Sequence, residues 1–155
     1  MFWGGFEQLV TEGSDRGGSY YQGFLTPVPQ ENKDAFHKLA REAWNDMFKP
    51  YGAMGNHESW GVDVPHGTLT DMYRAVDAKD GEVIVMSWTT WPDRATCDEA
   101  ARKMEEGMDG QDMPEMPFDG QRMIWGGFAN IFDSDVDGDA ADTAADTGAD
   151  TASRT

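Results

Sequence analysis

Residues 116–132 read Met116-Pro117-Phe118-Asp119-Gly120-Gln121-Arg122-Met123-Ile124-Trp125-Gly126-Gly127-Phe128-Ala129-Asn130-Ile131-Phe132. Pro117 and the Asp119-Gly120 pair prescribe a tight turn, because proline presets one backbone angle and glycine accepts conformations closed to other residues. From Arg122 to Phe132 the chain is rich in β-branched and aromatic residues, interrupted by Gly126 and Gly127. That composition predicts a buried strand with a bulge or a close backbone approach at the glycines. A closing strand of this kind needs earlier strands to pair with, and the rest of the chain supplies them.

Working outward, residues 20–28 form the first long strand pattern, ended by Pro27 and Pro29. Residues 30–49 then place Phe36, Leu39, Ala40, Ala43, Trp44, Met47 and Phe48 at helical spacing, with His37, Lys38, Arg41, Glu42, Asn45 and Asp46 opposite. This is an amphipathic helix packed on a sheet, stopped by Pro50. Residues 52–61 read as a second extended segment and residues 62–76 as a long loop. Residues 82–91 are the clearest strand: Ile84, Met86 and Trp88 point to one side, while Val83, Val85, Thr89 and Trp91 point to the other. Both faces are apolar, so both require cover. One layer of helices covers only one of them, and a partner sheet is the simplest cover for the second. Asp93 is the expected N-cap of a second helix whose apolar stripe is Cys97, Ala100, Ala101, Met104 and Met108, with Gly107 as its stop. The order βαββαβ is the ferredoxin-like arrangement, an α+β fold with an antiparallel sheet and two helices on one face.

The chain ends are different in character. Met1-Phe2-Trp3-Gly4-Gly5-Phe6 repeats Met123-Ile124-Trp125-Gly126-Gly127-Phe128 at five of six positions. Residues 11–19, rich in glycine and serine, then read as a flexible linker. Residues 1–18 are therefore either a chance likeness or a leftover strand from a duplicated domain that pairs with an exposed sheet edge. Residues 19–133 make the domain proper. Residues 134–155 contain Ala, Asp, Thr, Ser and Gly with hardly any large apolar group, so they are expected to be a disordered acidic tail.

The net charge is −17 from 29 acids and 12 bases. Seven acids (Asp133, Asp135, Asp137, Asp139, Asp142, Asp146, Asp150) and one base, Arg154, lie in or beside the tail. The remainder carries 22 acids against 11 bases, about −11 by itself. Such a field repels nucleic acid and anionic membranes, both of which need clustered Lys and Arg. With only five Lys, the composition suits a salt-rich cytoplasm where repulsion is screened. No apolar run is long enough to span a membrane, so the expected protein is soluble and cytoplasmic. Cys97 is the only cysteine and excludes an internal disulfide.

Several pieces together resemble the YbaA-like family, small bacterial and archaeal proteins of uncharacterised function. They are the closing stretch above, Gly23-Phe24-Leu25-Thr26-Pro27-Val28-Pro29, Asp63-Val64-Pro65-His66-Gly67 followed by Thr70-Asp71, and Val76-Asp77-Ala78-Lys79. The resemblance covers residues 20–133. It implies two sheets paired face to face as a dimeric α+β barrel, and it brings no catalytic role with it.

The chemistry-bearing residues concentrate in the middle of the chain: His57, Glu58, Asp63, His66 and Asp71. On a strand, Glu58 shares a side with Met54, Asn56 and Trp60 while His57 takes the other, so His57 and Glu58 do not bind one metal together. One reading places Glu58 in a cavity between sheet and middle loop, with Asp63 or His66 closing over it. A carboxyl group against Trp60 and Trp88 would then have a raised pKa and act in proton transfer. The opposing reading makes Asp63 and Asp71 loop caps and pairs Glu58 with Arg74 or Arg122. Catalytic candidates are thus Glu58, His66 and Asp63, and ligand-pocket candidates Phe24, Glu58, Trp60 and Trp88, joined by His66.

Asp133-Ser134-Asp135-Val136-Asp137-Gly138 copies the opening of a calcium-binding loop, but the twelfth position is Ala144 instead of glutamate. Met104, Met108, Met113 and Met116 are expected to fill gaps and not to bind copper. No metal, cofactor, phosphate-binding loop, dinucleotide fingerprint or nucleophile elbow is expected. Two functions follow: a homodimer holding a small organic molecule in an aromatic pocket, or a non-catalytic dimer whose acidic surface serves interaction or solubility.

Overall fold

The computed structural model describes residues 2–112 and 114–135. The acidic tail from residue 136 on and most of the calcium-like loop lie outside the described residues, as does Met113. Five strands form one antiparallel sheet: β1 (Gly5–Gly13), β2 (Tyr20–Pro29), β3 (Gly55–Asp63), β4 (Glu82–Trp91) and β5 (Ile124–Ala129). Their spatial order is β1-β3-β4-β2-β5. Helices α1 (Lys33–Ala43) and α3 (Arg94–Met108) and the single turn α2 (Met72–Ala75) complete an α+β fold.

Helix α1 buries Phe36 and Ala40, one turn apart, and continues through a π-helical turn, Trp44–Phe48, that buries Trp44 as well. The wide turn is visible in the Lys49 N–H, which bonds the Trp44 carbonyl at 3.0 Å, five residues back. Asp93 caps α3 as expected, accepting the Thr96 N–H at 2.7 Å. Cys97 and Ala100 face the sheet, whereas Ala101 and Met108 are exposed, so the apolar stripe is narrower than its sequence spacing implies. The helix runs one residue past Gly107, and it is Gly110, at φ +78°, that takes the left-handed conformation after its end.

Strand β4 lies at the centre, and its two faces meet different surroundings. Val83, Val85 and Trp91 face the helices, where Val85 joins Val10, Val28, Phe36, Ala40 and Trp60, and Trp91 joins Trp44, Ala53, Cys97 and Ala100. Ile84 faces the other way and is sealed by Met72 and Val76. Ile84 and Val85 are both fully buried, a contribution of about 1.5–3 kcal/mol each. The loop expected over residues 62–76 therefore contains a helical turn, and that turn covers one end of the second face. Asp71 builds it by accepting the Arg74 and Gly67 N–H groups at 2.7 and 3.0 Å.

Strand β5 departs from expectation. It is an edge strand and not a buried one: Ile124, Trp125 and Phe128 are 43, 66 and 60% exposed, because among the described residues β2 is its only neighbour and no layer lies over it. The close approach at its glycines does occur, since a side chain at Gly127 would collide with the Tyr20 hydroxyl 1.7 Å away. At Pro27 and Pro29 the chain stays extended. The ladder to β5 stops at Leu25, so both prolines fall where β2 has one neighbour only.

The residues joining β1 to β2, which read as slack in the sequence, are tied down. Ser14 N–H bonds the Met54 carbonyl at 2.9 Å and Ser19 N–H the Trp91 carbonyl at 3.1 Å. Gly18 is needed for contact, because a Cβ there would lie 2.3 Å from the Thr90 methyl.

Candidate functional site

The sheet registers lay out the second face row by row. One row runs Ser59, Met86, Leu25, Ile124; the next runs His57, Trp88, Gly23, Gly126; a third runs Thr90, Tyr21, Phe128. Because Gly23 and Gly126 contribute no side chains, the middle row sinks into a trough. The Phe128 ring leans over both glycines, 3.2 Å from where a Cβ on Gly23 would stand. Met86 and Trp88 form the opposite wall, and Met72 and Phe2 close one end. The resulting concavity is about 420 Å³, open on one side and lined mainly by apolar atoms.

At its other end sits a polar corner. The His57 imidazole stacks on the Trp88 indole. Asp15 reaches across from the β1–β2 connection: its Oδ1 accepts the Thr90 hydroxyl at 2.6 Å and its Oδ2 the Trp88 indole N–H at 3.3 Å. His57 Nε2 lies 2.9 Å from Asp15 Oδ2 without forming a hydrogen bond to it. Gly55 makes room for this carboxylate, since a Cβ there would fall 2.6 Å from Asp15 Oδ1. Beside them, burial together with Asp15 and Asp133 pushes the Tyr21 hydroxyl above its ordinary pKa. The arrangement is a flat apolar floor with one acid–base pair at its rim.

The sequence candidates are divided between the two faces. Trp88 lies in this concavity. Phe24 also lines it, although its place in the β2 alternation is on the helix side, as are those of Glu58 and Trp60. Glu58 is 8% exposed and held in a polar layer between the two helix-side clusters. It accepts the Asn56 amide at 3.1 Å and the Ser87 hydroxyl, while Thr89 donates to Asn56 at 2.8 Å. Burial raises its pKa, and the two hydrogen bonds offset part of that rise.

Neither Asp63 nor His66 closes over Glu58. Asp63 is exposed at the end of β3, and His66 is 79% exposed, stacked on Tyr73 and 3.6 Å from Asp71. Arg74 pairs with Asp71, whose pKa is lowered chiefly by the Arg74 and Gly67 N–H groups. Arg122 pairs with Glu82 through two bonds of 2.6 and 2.7 Å and with Asp119 at 3.0 Å. Glu58 therefore has neither arginine as partner. Asp15 carried no sequence signal, being one acid in a glycine-rich connection. Cys97 is a packing residue, its thiol pushed up to about 11 by burial. Among the described residues no group of three or more His, Cys, Asp and Glu is placed to hold a metal ion. No helix among them is long and apolar enough to cross a membrane.

Fold and site define a small α+β protein with one sheet, helices α1 and α3 on one face and, beside the α2 turn, an aromatic trough on the other. The family described as "Protein of unknown function (DUF1428)" matches residues 19–120, and the chain belongs to it. It is 42% identical over 115 residues to "Uncharacterized protein YbaA" of Escherichia coli strain K12, covering 74% of this chain and 97% of that protein. The same identity and coverage hold for "Uncharacterized protein YbaA" of Escherichia coli O157:H7 and of Shigella flexneri.

Proposed function

We propose that two copies of the chain pair sheet on sheet and that the trough between them becomes a closed chamber for a small, flat, apolar organic molecule. The observation that carries this reading is the open face itself: Phe128 and Ile124 are 60 and 43% exposed beside Trp88, Met86 and Leu25. An apolar area of this kind, rimmed by polar residues, is the ordinary mark of an interface or a binding groove. With β1 set aside, the remaining strands run β3-β4-β2-β5 with a helix after the first and third of them in sequence. That order supports a ferredoxin-like unit, whose uncovered face is available to a second sheet. Trp88 and Phe128 would sandwich the ligand, and His57 with Asp15 would present an ionisable pair at its edge.

A second reading, a dimer without catalysis, is favoured by one detail. Asp15 is engaged with Thr90, Trp88 and His57 of its own chain, as a structural ion pair would be. Mass spectrometry of the purified protein under native conditions, followed by denaturation, separates the two. A two-subunit species that sheds a small molecule on denaturation supports the chamber, and a ligand-free dimer that also ignores added aromatic probes supports the second reading. A single-subunit species overturns both.

A further inference from the structure

The two edges of the sheet are occupied by sequence-related strands. Aligning Trp3-Gly4-Gly5-Phe6 with Trp125-Gly126-Gly127-Phe128 sets Glu7-Gln8-Leu9-Val10 against Ala129-Asn130-Ile131-Phe132. The two segments use the shared register differently. In β5 the ladder to β2 covers the Trp-Gly-Gly-Phe portion and ends at Ala129. In β1 the ladder to β3 begins at Gly5 and covers the portion after it, through Gly13. Val10 is 4% exposed and packs with Val28, Phe36, Ala40, Trp60 and Val85, with Leu9 against the same cluster. The equivalent residues after β5, Ile131 and Phe132, are 98 and 69% exposed. The family match begins at residue 19, so β1 lies outside it.

We propose that the β3 edge is an acceptor for the segment that follows β5 in a second copy of this chain, and that β1 is a covalently attached stand-in occupying that edge in cis. In the exchanged form Ile131 and Phe132 of the second copy fill the positions that Leu9 and Val10 hold here. Two things keep β1 in place. A tethered strand competes at an effective concentration in the millimolar range. It also carries ion pairs to α1, Glu7 with Lys33 at 2.5 Å and Glu12 with Arg41 at 3.5 Å, where the aligned positions after β5 are the uncharged Ala129 and Ser134. Without β1 the β3 edge would be a bare ladder, the kind of edge that recruits strands from other chains. The proposal concerns the sheet edge and does not rest on the face-to-face pairing above.

The test weakens β1 in the full-length chain. Val10→Asp places a charge in the apolar cluster and dislodges the strand. Light scattering should then report twice the parent's mass, or a ladder of multiples, at concentrations where the parent keeps its own. Adding Ile131→Asp and Phe132→Asp should abolish that increase, whereas Val10→Asp combined with Phe128→Asp, on the other surface, should still have twice the mass of Phe128→Asp alone. If Val10→Asp unfolds, Leu9→Ala with Val10→Ala is the milder opening and must behave the same way. A folded variant with the parent's mass, an increase that survives Ile131→Asp with Phe132→Asp, or unfolding of both openings overturns the proposal.

Discussion

The imidazole of His57 lies on the indole of Trp88 with ring centroids 4.5 Å apart and planes 21° from parallel. The stack joins β3 to β4 on the open face, and Asp15 locks it by bonding Trp88 and Thr90 while facing His57. Asp15→Ala would leave the buried Thr90 hydroxyl without this acceptor. We expect a loss of about 1–2 kcal/mol in urea unfolding. Faster hydrogen exchange at Ser14 and Ser19 should accompany it. Unchanged exchange at those amides would mean that the connection is held by its backbone bonds alone.

Glu58 gives a pH signature. Its folded-state pKa is raised, chiefly by burial, so the protonated carboxyl is the form the fold prefers. Its contribution is fully present below the unfolded pKa and is lost as pH rises through the folded value, which puts the decline above the ordinary glutamate range. Glu58→Gln keeps a partner for Asn56 and Ser87 and carries no charge. We expect it to be more stable than the parent at neutral pH, on the order of 1 kcal/mol, and no more stable in acid. Parallel pH profiles for the two proteins would refute the assignment.

Arg122 clamps the approach to β5 onto β4. It bonds Glu82 twice, Asp119 once and the Asp77 carbonyl at 2.9 Å. Arg122→Ala leaves the partly buried Glu82 without its counter-charge, and we expect about 1–2 kcal/mol of destabilisation in chemical denaturation. Exchange protection should fall first in residues 124–129. A loss below half that size would show that the clamp is replaceable.

The charge of −17 predicts a response to salt. Self-repulsion is screened as ionic strength rises from about 0.1 to 1 M, so the thermal midpoint should climb across that range if the surface suits a salt-rich cytoplasm. A midpoint indifferent to salt removes that expectation.

The parts of the fold that follow from periodicity were legible in the sequence. Phe36, Ala40 and Trp44 mark α1 by their spacing, Asp93 marks the start of α3, and the doubled apolar pattern of residues 82–91 identifies the central strand. What sequence could not give was the surroundings of each face. Residues 124–129 are apolar enough to read as buried, yet they form an edge, because position in a sheet is set by long-range pairing. Glu58 was correctly placed opposite His57 on β3, but alternation does not say which side the helices cover. The helices took the Glu58 side, and the trough formed around His57. Asp15 was invisible for a related reason: its role depends on Gly18 and Gly55 letting the connection lie against Thr90, a contact between segments far apart in the chain.

The account stands or falls on the open face of the sheet. Sedimentation velocity on the full-length protein in dilute solution, beside Phe128→Asp, tests it most directly. The prediction is two subunits for the parent and one for Phe128→Asp with its fold intact by circular dichroism. A parent protein that sediments as a single subunit across the accessible concentration range would contradict it.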